Sequence, residues 1–181
     1  IRSINAYILA GGRSRRMGRQ KALIKWRGKS CLRHIVEAVR PCVRDAFVIR
    51  KDNLPACGPL GGIYTALCEC HQEWAWFFPC DMPGLNAEIL LWWKEQAESI
   101  LGQTKKSGPV HLICSVSSLS SPGKEAYAYA GFPLLLHRSL RMKLKEQLQM
   151  GEYSLQKFVQ LTRRSHVTLP AELEVYFNNI N

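Results

Sequence analysis

AYILAGG, residues 6–12, decides the fold. Ala6 to Ala10 is an apolar run with no polar break, and it ends on Gly11-Gly12. A short apolar run closed by glycines reads as a buried strand entering a tight turn, as in a parallel sheet covered on both faces. The pattern recurs downstream. Ala46–Ile49, Trp74–Phe78 and Val110–Val116 are further apolar runs of strand length. Between them lie stretches with helical spacing: Cys31–Val39, ended by Pro41; Leu60–Cys68; and Ala87 to about Leu101, with Asn86 as its N-cap. Strand and helix alternate, which predicts an α/β fold: one Rossmann-like three-layer sandwich around a mostly parallel sheet, spanning residues 1–181 as one domain. After Val116, the Ser- and Gly-rich stretch 117–126 reads as a mobile loop. Arg138–Gln149 reads as an amphipathic helix stopped by Gly151, and Leu155–Leu161 as a short helix.

In such sheets ligands bind beyond the carboxyl ends of the strands. Three strands end in loops rich in Gly, Pro and charge: Gly11–Lys21, Arg50–Gly62 and Cys80–Gly84. They are expected to meet in one crevice.

The first loop is basic. Nine Lys and Arg residues fall between Arg13 and Arg33, ahead of the first acid, Glu37, and the chain's net charge is +11. A block of this kind predicts nucleic acid, an acidic membrane surface or a polyphosphate as partner, or else a solvated basic face. Glycines that aim successive N–H groups at one point form an anion nest, and Arg15, Arg16 and Lys21 can add full charges. Neither a Walker motif nor a dinucleotide fingerprint is present.

In the third loop, Asp81 directly follows an apolar strand. A carboxylate there can hold Mg²⁺ against phosphate oxygens; alone, it would read as a turn or cap aspartate. Asp52 in the second loop can accept hydrogen bonds from guanine N1–H and its 2-amino group, and is otherwise a turn aspartate.

The seven cysteines cannot all pair, and they lack zinc-site spacing; Cys68-Glu-Cys70-His71 is the nearest approach to a metal cluster. Free thiols imply a reducing, cytoplasmic location. No signal-peptide layout and no membrane-length apolar run occurs. The first residue is Ile1 and the last Asn181, as expected of a fragment of a longer chain.

LAGGRSRRMGRQKAL at 9–23 resembles the signature of nucleotidyltransferases acting on sugars, isoprenoid precursors and molybdopterin. GPLGGIYTAL at 58–67, PCDMP at 79–83, GFPLLLHRSL at 131–140 and the terminal FNNIN at 177–181 are similar to segments of the molybdenum cofactor guanylyltransferase family. The resemblance implies that GMP passes from GTP to molybdopterin with Mg²⁺, giving the guanine dinucleotide cofactor and pyrophosphate. By position, it implies that Leu9, Ala10, Gly11, Gly12, Gly58 and Gly61 line the nucleotide and that Lys21 contacts its phosphates. Asp52 would read guanine, and Asp81 would bind Mg²⁺ and the nucleotide. Lys21, Arg15 and Asp81 would be the catalytic groups, and Asn179 and Asn181 would lie on the acceptor side. GTP and molybdopterin are then the partners, with transient contacts to cofactor-synthesis and molybdoenzyme chaperone proteins.

Gly12 and Met82 favour guanylyl over cytidylyl transfer, whereas Phe132 stands where relatives carry a polar residue before Pro133. The alternative within enzymes is a nucleotidyltransferase using another nucleoside triphosphate or another phosphorylated acceptor. A non-catalytic nucleic-acid module fits less well, because a single aromatic, Trp26, stands among the nine basic residues, fewer than base stacking would require.

Overall fold

The structure, a computed structural model, describes residues 4–11, 21–54, 56–103, 108–118 and 131–180, and only the backbone of Lys21. Strands β1 (Asn5–Leu9), β4 (Ala46–Ile49), β5 (Trp74–Pro79), β6 (Leu112–Ser117), β7 (Gly131–His137) and β8 (Arg164–Leu169) form one sheet in the order β4-β1-β5-β7-β6-β8. β2 (Lys25–Trp26) and β3 (Lys29–Ser30) form a separate small hairpin. The helices are α1 (Cys31–Val39), α2 (Gly58–Glu69), α3 (Ala87–Gln103), α4 (Leu140–Gln149), α5 (Leu155–Gln160) and α6 (Ala171–Glu174).

β1 pairs in parallel with β4 and β5, and β6 with β8; β7 runs antiparallel to both β5 and β6. Five strands therefore point one way, and their carboxyl ends share one edge. Two of the six, β7 and β8, go beyond the expected alternation.

Because side chains alternate across a strand, the apolar runs feed two cores. Ala6, Ile8, Trp76, Phe78, Ile113 and Leu135 face α1 and α3. Tyr7, Phe77, Leu112, Cys114, Leu134 and Leu136 face α2, α4 and α5. Trp76 stacks on Trp93 of α3 with ring centroids 5.3 Å apart, an arrangement adding about 0.5–1.5 kcal/mol beyond burial. The Trp93 indole N–H donates to Ser115 Oγ at 2.9 Å, tying α3 to β6.

Element bounds shift from expectation for local reasons. α2 begins at Gly58, not Leu60, because Gly58 takes a positive φ of 59° and Pro59 suits a first helical turn. α4 begins at Leu140, two residues after Arg138. β6 begins at Leu112 and runs to Ser117. Of the loop expected at 117–126, residues 119–126 lie outside those described. Ala22, in the 3-10 turn Lys21–Leu23, is buried in the core.

Candidate active site at the carboxyl edge

β1 extends its pairing one residue past Leu9, since the Ala10 N–H donates to the Ile49 carbonyl at 2.9 Å. The Leu9 side chain rests against α2, at the position of Gly62, while Gly11 is exposed. Beyond β4, Asp52 turns its carboxylate into a space that three glycines leave open. A Cβ on Gly11 would lie 3.3 Å from Asp52 Oδ1 and 3.1 Å from the Arg50 carbonyl oxygen. One on Gly61 would lie 3.1 Å from Asp52 Oδ2 and 2.9 Å from the Leu54 carbonyl oxygen, and one on Gly62 3.3 Å from Asp52 Oδ1. So the first loop, the second loop and the start of α2 meet at one carboxylate.

Among the described residues, the Asp52 carboxylate has no hydrogen-bond or ion-pair partner, and burial pushes its pKa up. It lies by the first turn of α2, a helix with no side-chain N-cap, whose N-terminal partial charge partly offsets a negative one. Gly58 has a different role from Gly61: a Cβ there meets nothing within 4 Å, and its positive φ shapes the entry to α2.

Thr65, which sequence reading did not single out, fixes the loop. Its hydroxyl accepts from the Asn53 N–H at 2.8 Å and donates to the Gly61 carbonyl at 2.9 Å. A threonine four residues after a glycine at a helix start is the only sequence signal for it.

Asp81 follows β5 and is 8% exposed. The C-terminal segment closes on its loop. The Ile180 N–H donates to the Asp81 carbonyl at 2.8 Å. Gly84 meets the backbone of Tyr176 so closely that a Cβ would lie 3.1 Å from the Tyr176 carbonyl oxygen. Asn179 is thereby held, exposed, beside Asp81. α6 is anchored too: Glu174 Oε1 accepts from Ser117 Oγ at 2.7 Å and from the Ser118 N–H at 2.8 Å.

On the other flank, the Cys31 thiol at the start of α1 is pushed up by burial and, secondarily, by the negative charge of Asp81. The Cys31 N–H also donates to the Ile24 carbonyl at 2.8 Å. Ala22, in the 3-10 turn Lys21–Leu23, belongs to the same core cluster as Cys80 and Met82. Gly12, Arg15, Arg16, Asn181 and the Lys21 side chain lie outside the described residues.

Asp52 and Asp81 follow β4 and β5, which flank β1. Two inter-strand spacings put the two strand ends roughly 10 Å apart, a span a nucleotide can bridge between base and phosphates. A lone carboxylate, completed by phosphate oxygens and water, suits Mg²⁺, which usually takes only one or two protein carboxylates. Among the described residues, no group of three His, Cys, Asp or Glu side chains is placed to hold a metal ion. That holds for Cys68-Glu-Cys70-His71 as well; Cys70 is buried with its sulfur 3.4 Å from the Gln72 carbonyl oxygen. No helix among the described residues is long and apolar enough to cross a membrane.

The profile of the MobA-like NTP transferase domain matches residues 6–167. The chain is 37% identical over 100 residues to a "Probable molybdenum cofactor guanylyltransferase" of Geobacillus sp., an alignment covering 45% of this chain and 51% of that one. It is 26% identical over 196 aligned positions to the molybdenum cofactor guanylyltransferase of Yersinia pseudotuberculosis, covering 99% of this chain and 91% of that one. Its fold is similar to that of molybdopterin-guanine dinucleotide biosynthesis protein A from Archaeoglobus fulgidus, with a TM-score of 0.69 at 19% identity over 98% of this chain and 92% of that one.

Proposed function

The chain belongs to the MobA-like NTP transferase domain family and is a nucleotidyltransferase, and we propose that it transfers GMP from GTP to the molybdopterin cofactor, releasing pyrophosphate. The observation that carries this reading is the placement, at one sheet edge, of an acceptor carboxylate, Asp52, beside three glycines and a buried carboxylate at Asp81. Guanine offers two adjacent donors, N1–H and the 2-amino group, to the two oxygens of Asp52. Adenine and cytosine present an acceptor at the corresponding ring nitrogen.

The terminal phosphate of the pterin attacks the α-phosphorus of GTP in line. A new P–O bond forms there, the bond to the β-phosphate oxygen breaks, and pyrophosphate leaves with the electron pair. No covalent enzyme intermediate is required. Asp81 would hold Mg²⁺, which neutralises charge on the phosphates when bound. Gly11 and Gly12 would orient the triphosphate through their N–H groups, and Lys21 and Arg15 would offset the developing charge. Holding two anions in one frame contributes up to about 7–11 kcal/mol in favourable cases. Asn179 and Asn181 would border the acceptor. The product would pass to molybdoenzyme partners in a reducing cytoplasm, which suits seven free thiols.

Pyrophosphate release, measured with molybdopterin and each of GTP, CTP, UTP and ATP, tests the assignment. GTP should be preferred by about 100-fold or more, the discrimination expected from a site that hydrogen-bonds its substrate. Preference for CTP would transfer the reading to a cytidylyltransferase. Asp81→Ala should abolish turnover while the melting temperature stays near that of the parent; near-normal turnover at saturating Mg²⁺ would refute its role.

A further inference from the structure

The sheet has a second pole. The amino end of β5 and the carboxyl end of β7 meet at the edge away from Asp52 and Asp81, Trp74 pairing with His137. β5 separates the two poles by roughly 20 Å. A cavity of about 430 Å³ opens there between the end of α2 and the start of α4, within the usual size range of small-ligand sites.

Its lining is basic. Arg138, Arg141, His71 and His137 contribute, and no carboxylate lines it among the described residues. Arg138 is pinned at two points: its N–H donates to the Glu73 carbonyl at 2.8 Å, and Nη1 donates to the His71 carbonyl at 3.2 Å. A role as a plain cap for the end of α2 would use that one N–H and leave the rest of the five-donor fork. Arg141 caps nothing; among the described residues its side chain has no hydrogen-bond or carboxylate partner, and its charge is felt by Tyr64. His137 Nδ1 accepts from the Ser139 N–H at 3.2 Å, while Nε2 points to Glu73. The ten-residue helix α4 starts at the same wall without a side-chain cap, adding partial positive charge. Leu67 and Met142 supply an apolar side.

Two guanidinium groups three residues apart at the start of α4, with no carboxylate lining the cavity among the described residues, are a phosphate-recognition chemistry. We propose that this distal cavity binds a phosphate group, free or esterified to a small organic body, through Arg138 and Arg141. The site is separate from the nucleotide cleft and does not depend on the reaction assigned there.

The test reads the cavity itself. Cys68 lines it and is the only one of the seven cysteines that is not fully buried. Its alkylation by iodoacetamide, followed by mass spectrometry, should slow as inorganic phosphate or ribose 5-phosphate is added, and ribose should have no effect. Tighter protection by ribose 5-phosphate identifies an ester; equal protection identifies free phosphate. Arg141→Ala should raise the concentration for half-protection by at least about tenfold, the loss expected for a charge-assisted contact. It should leave the melting temperature unchanged, since that side chain has no hydrogen-bond or carboxylate partner among the described residues. The Arg138→Ala/Arg141→Ala pair should lose protection altogether. Alkylation indifferent to both phosphates, or protection equally strong in Arg141→Ala, would overturn the site.

Discussion

Asp52 is half-buried and has no partner among the described residues, so its ionisation costs the free protein something that a ligand can return. Burial raises its pKa. For an acid whose folded value exceeds its unfolded one, the stability contribution is fully present below the unfolded value, and it is lost as pH rises through the raised folded value. Donors on guanine reverse this, because they favour the charged carboxylate. GTP affinity should therefore rise with pH through the raised Asp52 value, and Asp52→Asn should remove that part of the slope. At neutral pH the same change should weaken GTP on the order of 10- to 100-fold, since each hydrogen bond to a charged acceptor contributes about 1.5–3 kcal/mol. It should also leave the apo protein as stable or slightly more so. Titration calorimetry from pH 4 to 7, with Asp52→Asn as reference, measures both. Identical slopes for the two proteins would remove Asp52 from base recognition.

At the scale of elements, the C-terminal segment acts as a brace for the Asp81 loop. Ile180→Pro deletes the N–H that holds the Asp81 carbonyl, whereas Ile180→Ala keeps it. One backbone hydrogen bond contributes a net of only about 0.5–1.5 kcal/mol, so neither variant should unfold the protein. The proline variant should turn over several-fold more slowly than the alanine variant, chiefly in kcat. Equal rates would mean that the tail merely covers the loop. This brace was half legible in the sequence. FNNIN could be matched as a motif, but nothing in its composition says that it binds the backbone of Asp81, some hundred positions earlier. The strands β1, β4, β5 and β6 were legible because they are apolar runs, but β4 is an edge strand in which only Ile49 is buried and Phe47 is 45% exposed. β7 and β8 were not, for opposite reasons. β7 contains Pro133, which argues against a central strand; it is tolerated because the β6–β7 register shifts between Ile113 and Ser115, around that position. β8 is an edge strand burying only Val167 and Leu169, so Arg164-Ser-His166 hides its pattern. Thr65 and Glu174 escaped notice because one hydroxyl or carboxylate carries no signal until the fold supplies its partners.

The whole molecule sets how an anionic substrate arrives. A net charge of +11 over 181 residues, with nine basic groups between Arg13 and Arg33, creates a field that extends well beyond contact distance. In sequence, that block follows the first strand and leads into α1. Salt shrinks the reach of such a field from about 10 Å at 0.1 M to about 3 Å at 1 M. Contacts inside a half-buried site are screened far less. The two contributions should therefore separate kinetically. In stopped-flow binding of Mg²⁺–GTP, the association rate should fall by about tenfold as salt is raised over that range, in the lower part of what steering can supply. The dissociation rate should change little with salt and rise mainly in Asp52→Asn. Charge reversal on the hairpin, Lys25→Glu with Lys29→Glu, should flatten the salt dependence of association and leave dissociation alone, since both side chains are exposed to solvent on β2 and β3. If salt acted on dissociation instead, the basic block would be gripping phosphates directly. If short single-stranded RNA competed at equal charge concentration with a steep salt slope, the field would be serving a nucleic acid, and the nucleotidyl-transfer reading would lose the support it draws from charge.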